Sequence, residues 1–70
     1  MSEETNQPTP SEWKVLRIVA DLGPCAASDV YDRLGRREDW SVSTVKTLLR
    51  RLTDKGLLRT RWVGNSNLYS

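Results

Sequence analysis

Seventy residues make one small domain, and a chain of that size buries only about 60% of the surface it exposes when unfolded, so its core is thin. Histidine is absent and Cys25 is the single cysteine. That removes Ser-His-Asp triads, an internal disulfide and most zinc sites, and neither enzyme chemistry, cofactor nor metal is expected. The net charge of +2 conceals a division: residues 1–39 carry five cations against eight acids, a net −3, whereas residues 40–70 carry Lys46, Arg50, Arg51, Lys55, Arg59 and Arg61 against Asp54 alone, a net +5. Such asymmetry points to a polyanionic partner.

The polar opening "MSEETNQPTP" reads as a disordered tail over residues 1–9, with the folded domain expected over residues 10–70. No apolar run nears the ~18 residues of a membrane span and no signal peptide is visible, so the expected location is cytoplasmic, with no membrane partner.

The first helix is expected over 10–22. Thr9 is its N-cap, Pro10 suits the first helical position, and Glu12 stands at the capping-box spacing from Thr9. Trp13, Leu16, Val19 and Ala20 recur at helical intervals, with Val15, Ile18 and Leu22 widening the stripe; Gly23 and Pro24 end it. Pro24–Ala26 is extended enough for a short strand. A second helix follows over about 27–36, with Ala27, Val30, Tyr31 and Leu34 as its apolar face, a poor cap at Ala26 and Gly35 weakening its end.

The third helix, about 42–55, comes from "VSTVKTLLRRLTDKG". Ser41 is the expected N-cap, Trp40 and Val45 have the spacing of a hydrophobic staple, and Gly56 is the natural stop. At 100° per residue, Val42, Leu48, Leu49 and Leu52 fall within about 60° of Val45 and form the core face. Ser43, Lys46, Thr47 and Arg50 point the other way, with Thr44 and Arg51 on a flank. Residues 42–53 hold no acid, although a solvated helix face ordinarily mixes signs at i,i+4. Cations that donate to guanine O6 and N7, hydroxyls that reach bases or phosphates, and a helix shaped for the major groove together fit DNA.

After Gly56 the period drops to two: Leu58, Thr60 and Trp62 alternate with Arg59 and Arg61, then "GNSN" turns the chain. A hairpin with its turn at about 63–66 has to pack on the helices through Leu57, Leu58 and Leu68, since a lone hairpin is unstable; Pro24–Ala26 would add a third strand. The fold class is therefore mainly α with a small antiparallel sheet, a winged helix-turn-helix of three helices and a C-terminal hairpin wing. Arg59 and Arg61 suit phosphate contact beside the groove.

The stretches "SEWKVLRIV", "DWSVSTVKTLLRRLTDKGLL" and the closing "YS" resemble the N-terminal domain of the penicillinase-repressor family, which includes β-lactam-resistance and copper-transport repressors. The match covers about residues 9–70. The resemblance implies a bacterial transcriptional repressor whose third helix enters the major groove of a palindromic double-stranded DNA operator, as a homodimer held together by helices beyond the hairpin. The 70-residue chain, taken as the DNA-binding domain of a longer protein, is expected to be monomeric. Thr44, Lys46, Thr47 and Arg51 match the family motif, Ser43 and Arg50 occupy variable positions on the same surface, and Trp13 and Trp40 match structural positions. Val42 stands where the family usually has proline, Ala26 where it has serine or threonine, and "GNSN" lacks the usual basic residue, so wing contact to DNA would rest on Arg59, Arg61 and Asn65. The alternative reading is a winged-helix protein-interaction module, whose mark is an exposed apolar patch. Trp62 is the candidate for that patch, although its ring is expected to pack on the helices.

Overall fold

A computed structural model describes residues 7–70, so the first six residues of the expected tail lie outside the described residues. Helix α1 spans Pro10–Leu22. Helix α2 begins over Ala27–Val30, widens into a π-turn over Tyr31–Gly35 and closes over Arg36–Glu38. Helix α3 spans Val42–Asp54, and strands β1 (Thr60–Val63) and β2 (Ser66–Tyr69) form the hairpin.

The cap at the start of α1 is as the spacing predicts. Glu12 N–H donates to Thr9 Oγ1 at 3.2 Å, and Thr9 N–H donates to Glu12 Oε1 at 2.9 Å. The orientation of the helix differs from the expected stripe. Its inward residues are Glu12, Val15 and Val19, while Ala20 is exposed and Trp13 leaves 52% of its surface in water. Glu12 turns inward because a cation meets it: Lys55 Nζ lies 2.5 Å from Glu12 Oε1 and also donates to the Gln7 carbonyl at 3.0 Å. A stripe built from apolar residues alone leaves Glu12 out and is turned by about one position, roughly 100°, onto Trp13.

Helix α2 runs on past Gly35, which the composition marks as a weak end. Gly35 is required there for space: a Cβ built on it would lie 2.3 Å from Tyr31 Cδ1, so the tyrosine ring sits directly on the glycine backbone. The helix stops at Asp39, in the left-handed conformation at φ 60°, with Asp39 N–H bonded to the Arg36 carbonyl and Trp40 N–H to the Gly35 carbonyl. The same paired pattern closes α3, where Gly56 (φ 80°) bonds Thr53 and Leu57 bonds Leu52.

The core is one cluster built from Val15, Val19, Val30, Leu34, Val45, Leu48, Leu49, Leu52 and Leu58, with Cys25 and Ala27 at its edge and Trp40 and Tyr69 packed against it. Burial, with a smaller push from the Asp29 carboxylate, raises the Cys25 thiol pKa above its ordinary value. The hairpin docks through Leu58 and Tyr69, while Leu57 is exposed. The extended stretch before α2 meets the sheet at one residue only, so the expected third strand is reduced to a single bridge beside a two-stranded sheet. Cys25 exchanges both backbone hydrogen bonds with Tyr69, at 3.0 and 2.7 Å. Gly64, at φ 62°, takes the first position of the two-residue hairpin loop, where a type II′ turn demands a positive φ. Mainly helical with a two-stranded antiparallel wing, the architecture is a winged helix-turn-helix.

Candidate nucleic-acid interface

Helix α3 is held by its apolar face and leaves the rest to solvent. Val45, Leu48, Leu49 and Leu52 are buried, and Ser43, Thr44, Lys46, Thr47, Arg50 and Arg51 are all exposed. Val42, which the helical wheel assigns to the core face, is 41% exposed: it stands at the first position of the helix, one turn before the packed layer begins at Val45. Ser41 caps the helix by accepting from Thr44 N–H at 3.1 Å, and its hydroxyl also lies 3.2 Å from Thr44 Oγ1. One of the six hydroxyl or cationic candidates on this helix is thus already engaged in the cap.

The candidates divide into three groups. Ser43, Lys46, Thr47 and Arg50 occupy the outward face. Arg51 lies on the flank towards the start of α1, where its charge reaches the buried Glu12 carboxyl. Burial of that carboxyl pushes its pKa up, but the Lys55 hydrogen bond, the Thr9 N–H and the charges of Lys55 and Arg51 together outweigh it, and the net pKa is below the ordinary carboxylate value. The Glu12–Lys55 pair therefore ties the last turn of α3 to the first turn of α1 and sets how the outward face is presented. Sequence reasoning found the capping box and missed this pair, because spacing reports neighbours along a helix and is silent about a lysine 43 residues away.

The third group lies on the hairpin. Thr60 pairs with Tyr69, Arg61 with Leu68 and Trp62 with Asn67. Side chains alternate across the sheet, so Trp62, Asn67 and Tyr69 share one face, and Arg61 shares the other with Leu68. The first face is the one turned towards α3. Trp62, Asn65 and Asn67 line an open depression of about 430 Å³ together with Lys46 and, from the start of α2, Ala26 and Ser28. Arg59 and Arg61 are exposed but do not line it. Among the described residues no acid lines this depression, although the Asp29 carboxylate accepts from the Ala26 N–H at 3.0 Å; other depressions on the surface are lined by Asp29 and Asp32, or by Asp21 and Glu38. Trp62 was expected to pack on the helices. It is on the helix-facing side of the hairpin, but 71% exposed, since β1 carries it beyond the helical layer that covers Tyr69 and Leu58.

Comparison with known proteins places the fold in a lineage. The model of the penicillinase repressor family matches residues 8–70. The chain belongs to the penicillinase repressor family. The family is that of a transcriptional repressor, and the winged helix described above is consistent with that family. An uncharacterised 16.5 kDa protein from the ptsI 3′ region of Latilactobacillus sakei is 46% identical over the whole chain, which covers 48% of that protein. The methicillin resistance regulatory protein MecI of Staphylococcus aureus strain N315 is 29% identical over 58 residues, 83% of this chain and 47% of that protein. MecI of Mammaliicoccus sciuri matches over the same extent at 29%. The chain spans about half the length of the curated relatives it matches. Among the described residues no helix is long and apolar enough to cross a membrane.

Proposed function

We propose that this chain is the sequence-specific DNA-binding domain of a bacterial transcriptional repressor, with α3 in the major groove of a palindromic operator and the hairpin along the flanking phosphate backbone. The observation that carries the reading is the outward face of α3. Lys46, Arg50, Ser43 and Thr47 are exposed together on a helix whose other face is locked in the core, with no acid from residue 42 to residue 53. Lys46 and Arg50 are like charges at i,i+4, a pairing that costs a few tenths of a kcal/mol in the free domain and is relieved by a polyanion. Arg51, on the flank, holds a phosphate at the edge of the groove; Arg59, Arg61 and Asn65 add contacts from the wing. The whole repressor acts as a homodimer, reading two half-sites, and the 70-residue chain is a monomer that binds each half-site weakly because the linkage between them is lost.

Fluorescence anisotropy with duplex DNA tests this across a range of KCl concentrations. Each phosphate neutralised contributes a log–log slope of about −0.9, so several units of negative slope are expected. Amide shifts on adding duplex should cluster at residues 43–51 and 59–65. A flat salt response, or shifts elsewhere, refutes the proposal. The exposure of Trp62 is the one feature that favours a protein-docking module; its neighbourhood of lysine and amides without acid favours DNA.

A further inference from the structure

We propose that Trp62 is a DNA-contact residue: its indole packs on a deoxyribose of the strand whose adjoining phosphate is held by Lys46. The inference rests on the DNA-binding reading above and adds to it a residue with no charge and no match to the family motif. Four observations converge. Among the described residues Trp62 is the most exposed of the large apolar side chains. The strand register aims it to the same side as Asn67 and Tyr69, away from Arg61 and Leu68. It shares one depression with Lys46, which stands on the outward face of α3. The depression is lined by the apolar Ala26 and Ala27 and by polar groups at Ser28, Asn65 and Asn67, with no acid in its lining among the described residues and the Asp29 carboxylate engaged by the Ala26 N–H.

Those surfaces suit a sugar–phosphate segment. A deoxyribose is an apolar ring edge that packs on an indole and alanine methyls, and its phosphate takes a cation, a hydroxyl and amide N–H groups. A continuous strand is favoured over a small anion because the depression is open and runs into the exposed face of α3, along which the backbone of a groove-bound duplex would pass. On this account the side of the wing that meets DNA beside α3 is aromatic and amide in character, and the cations Arg59 and Arg61 serve more distant phosphates from the opposite side.

The contact has a signature that a cationic contact lacks. A short fluorescein-labelled duplex, selected from a random-sequence pool with the intact chain, is titrated by anisotropy at several KCl concentrations. Trp62→Ala should weaken binding roughly tenfold, as loss of about 50–60 Å² of buried apolar contact does, and leave the log–log salt slope unchanged. Trp62→Phe should recover most of that loss. Lys46→Ala should reduce the slope by about 0.9. In the wild-type complex the indole protons should give intermolecular NOEs to deoxyribose protons. Because the ring is largely exposed, circular dichroism of Trp62→Ala should be unchanged. If Trp62→Ala binds within twofold of wild type while Lys46→Ala is weakened, the inference fails and the DNA-binding reading stands. If no duplex binds the wild-type chain, the DNA-binding reading itself fails. Absent NOEs to sugars, or tighter binding to a single strand than to the duplex, also overturn the inference, the latter in favour of base stacking.

Discussion

Removing Lys55 should cost more stability than removing any surface cation of this chain. Its ammonium lies 2.5 Å from Glu12 Oε1, and Glu12 is 1% exposed. In Lys55→Met the carboxylate keeps the Thr9 N–H at 2.9 Å and loses its ion-pair partner, with the Arg51 charge left as a weaker, more distant influence. Stranding one partner of a buried pair costs about 3–5 kcal/mol. A chain of this length has roughly 4–10 kcal/mol of total stability, so about half of it is at stake. Glu12→Gln is milder, on the order of 1–3 kcal/mol, because the amide oxygen still accepts from Thr9 and the partly exposed Lys55 reaches water. The double mutant Glu12→Gln/Lys55→Met should be more stable than Lys55→Met alone, with a coupling of about 0.5–3 kcal/mol. Urea unfolding followed by tryptophan fluorescence measures all three. The pH dependence gives an independent check of sign. The folded-state pKa of Glu12 lies below its ordinary value of 4.5, so its contribution is present above about 4.5 and is lost as pH falls through the lowered folded value. Wild type should lose that increment on acidification and Glu12→Gln should not. A Lys55→Met cost under about 1 kcal/mol, or a double mutant less stable than Lys55→Met, refutes the account of the pair.

Gly35→Ala should cost about 1–3 kcal/mol by overpacking against the Tyr31 ring, 2.3 Å from the added Cβ; adding Tyr31→Ala should lessen the further penalty, which thermal melts of the single and double mutants will reveal. Ser41→Ala should cost about 1 kcal/mol as a lost N-cap, and amide exchange should accelerate in the first turn of α3, at Thr44 above all, whose N–H the serine accepts. Lys46→Ala should weaken duplex binding about equally across sequences and cut the log–log salt slope by about 0.9, as loss of one phosphate contact does, with the fold intact by circular dichroism; an unchanged Kd removes it from the interface.

Much of the fold is legible in the sequence because it rests on local rules. Capping residues, glycine stops and the shift from period 3.6 to period 2 locate α1, α3 and the hairpin, and the family motif identifies the lineage. The outward face of α3 is legible for the same reason, since a helical wheel relates residues within one helix. Other features depend on which elements meet. Glu12 reads as a capping-box acid, and its burial against Lys55 from the far end of α3 has no signal in the sequence. The π-turn in α2 has no local signal in the sequence, and the close seat of the Tyr31 ring on Gly35 appears only once the chain is folded. Trp62 alternates correctly in the strand, but whether an alternating residue is covered depends on how far the helices extend beneath it.

The sequence by itself determined the elements, the polarity of α3 and the family, because caps, periodicity and charge act over a few residues. Only the tertiary structure decided which way α1 faces, that a buried ion pair anchors the end of α3, and that Trp62 stays exposed beside Lys46 instead of packing on the helices. Burial and ion pairing join residues distant in sequence, and their strength depends on the water that packing removes, which no local pattern records.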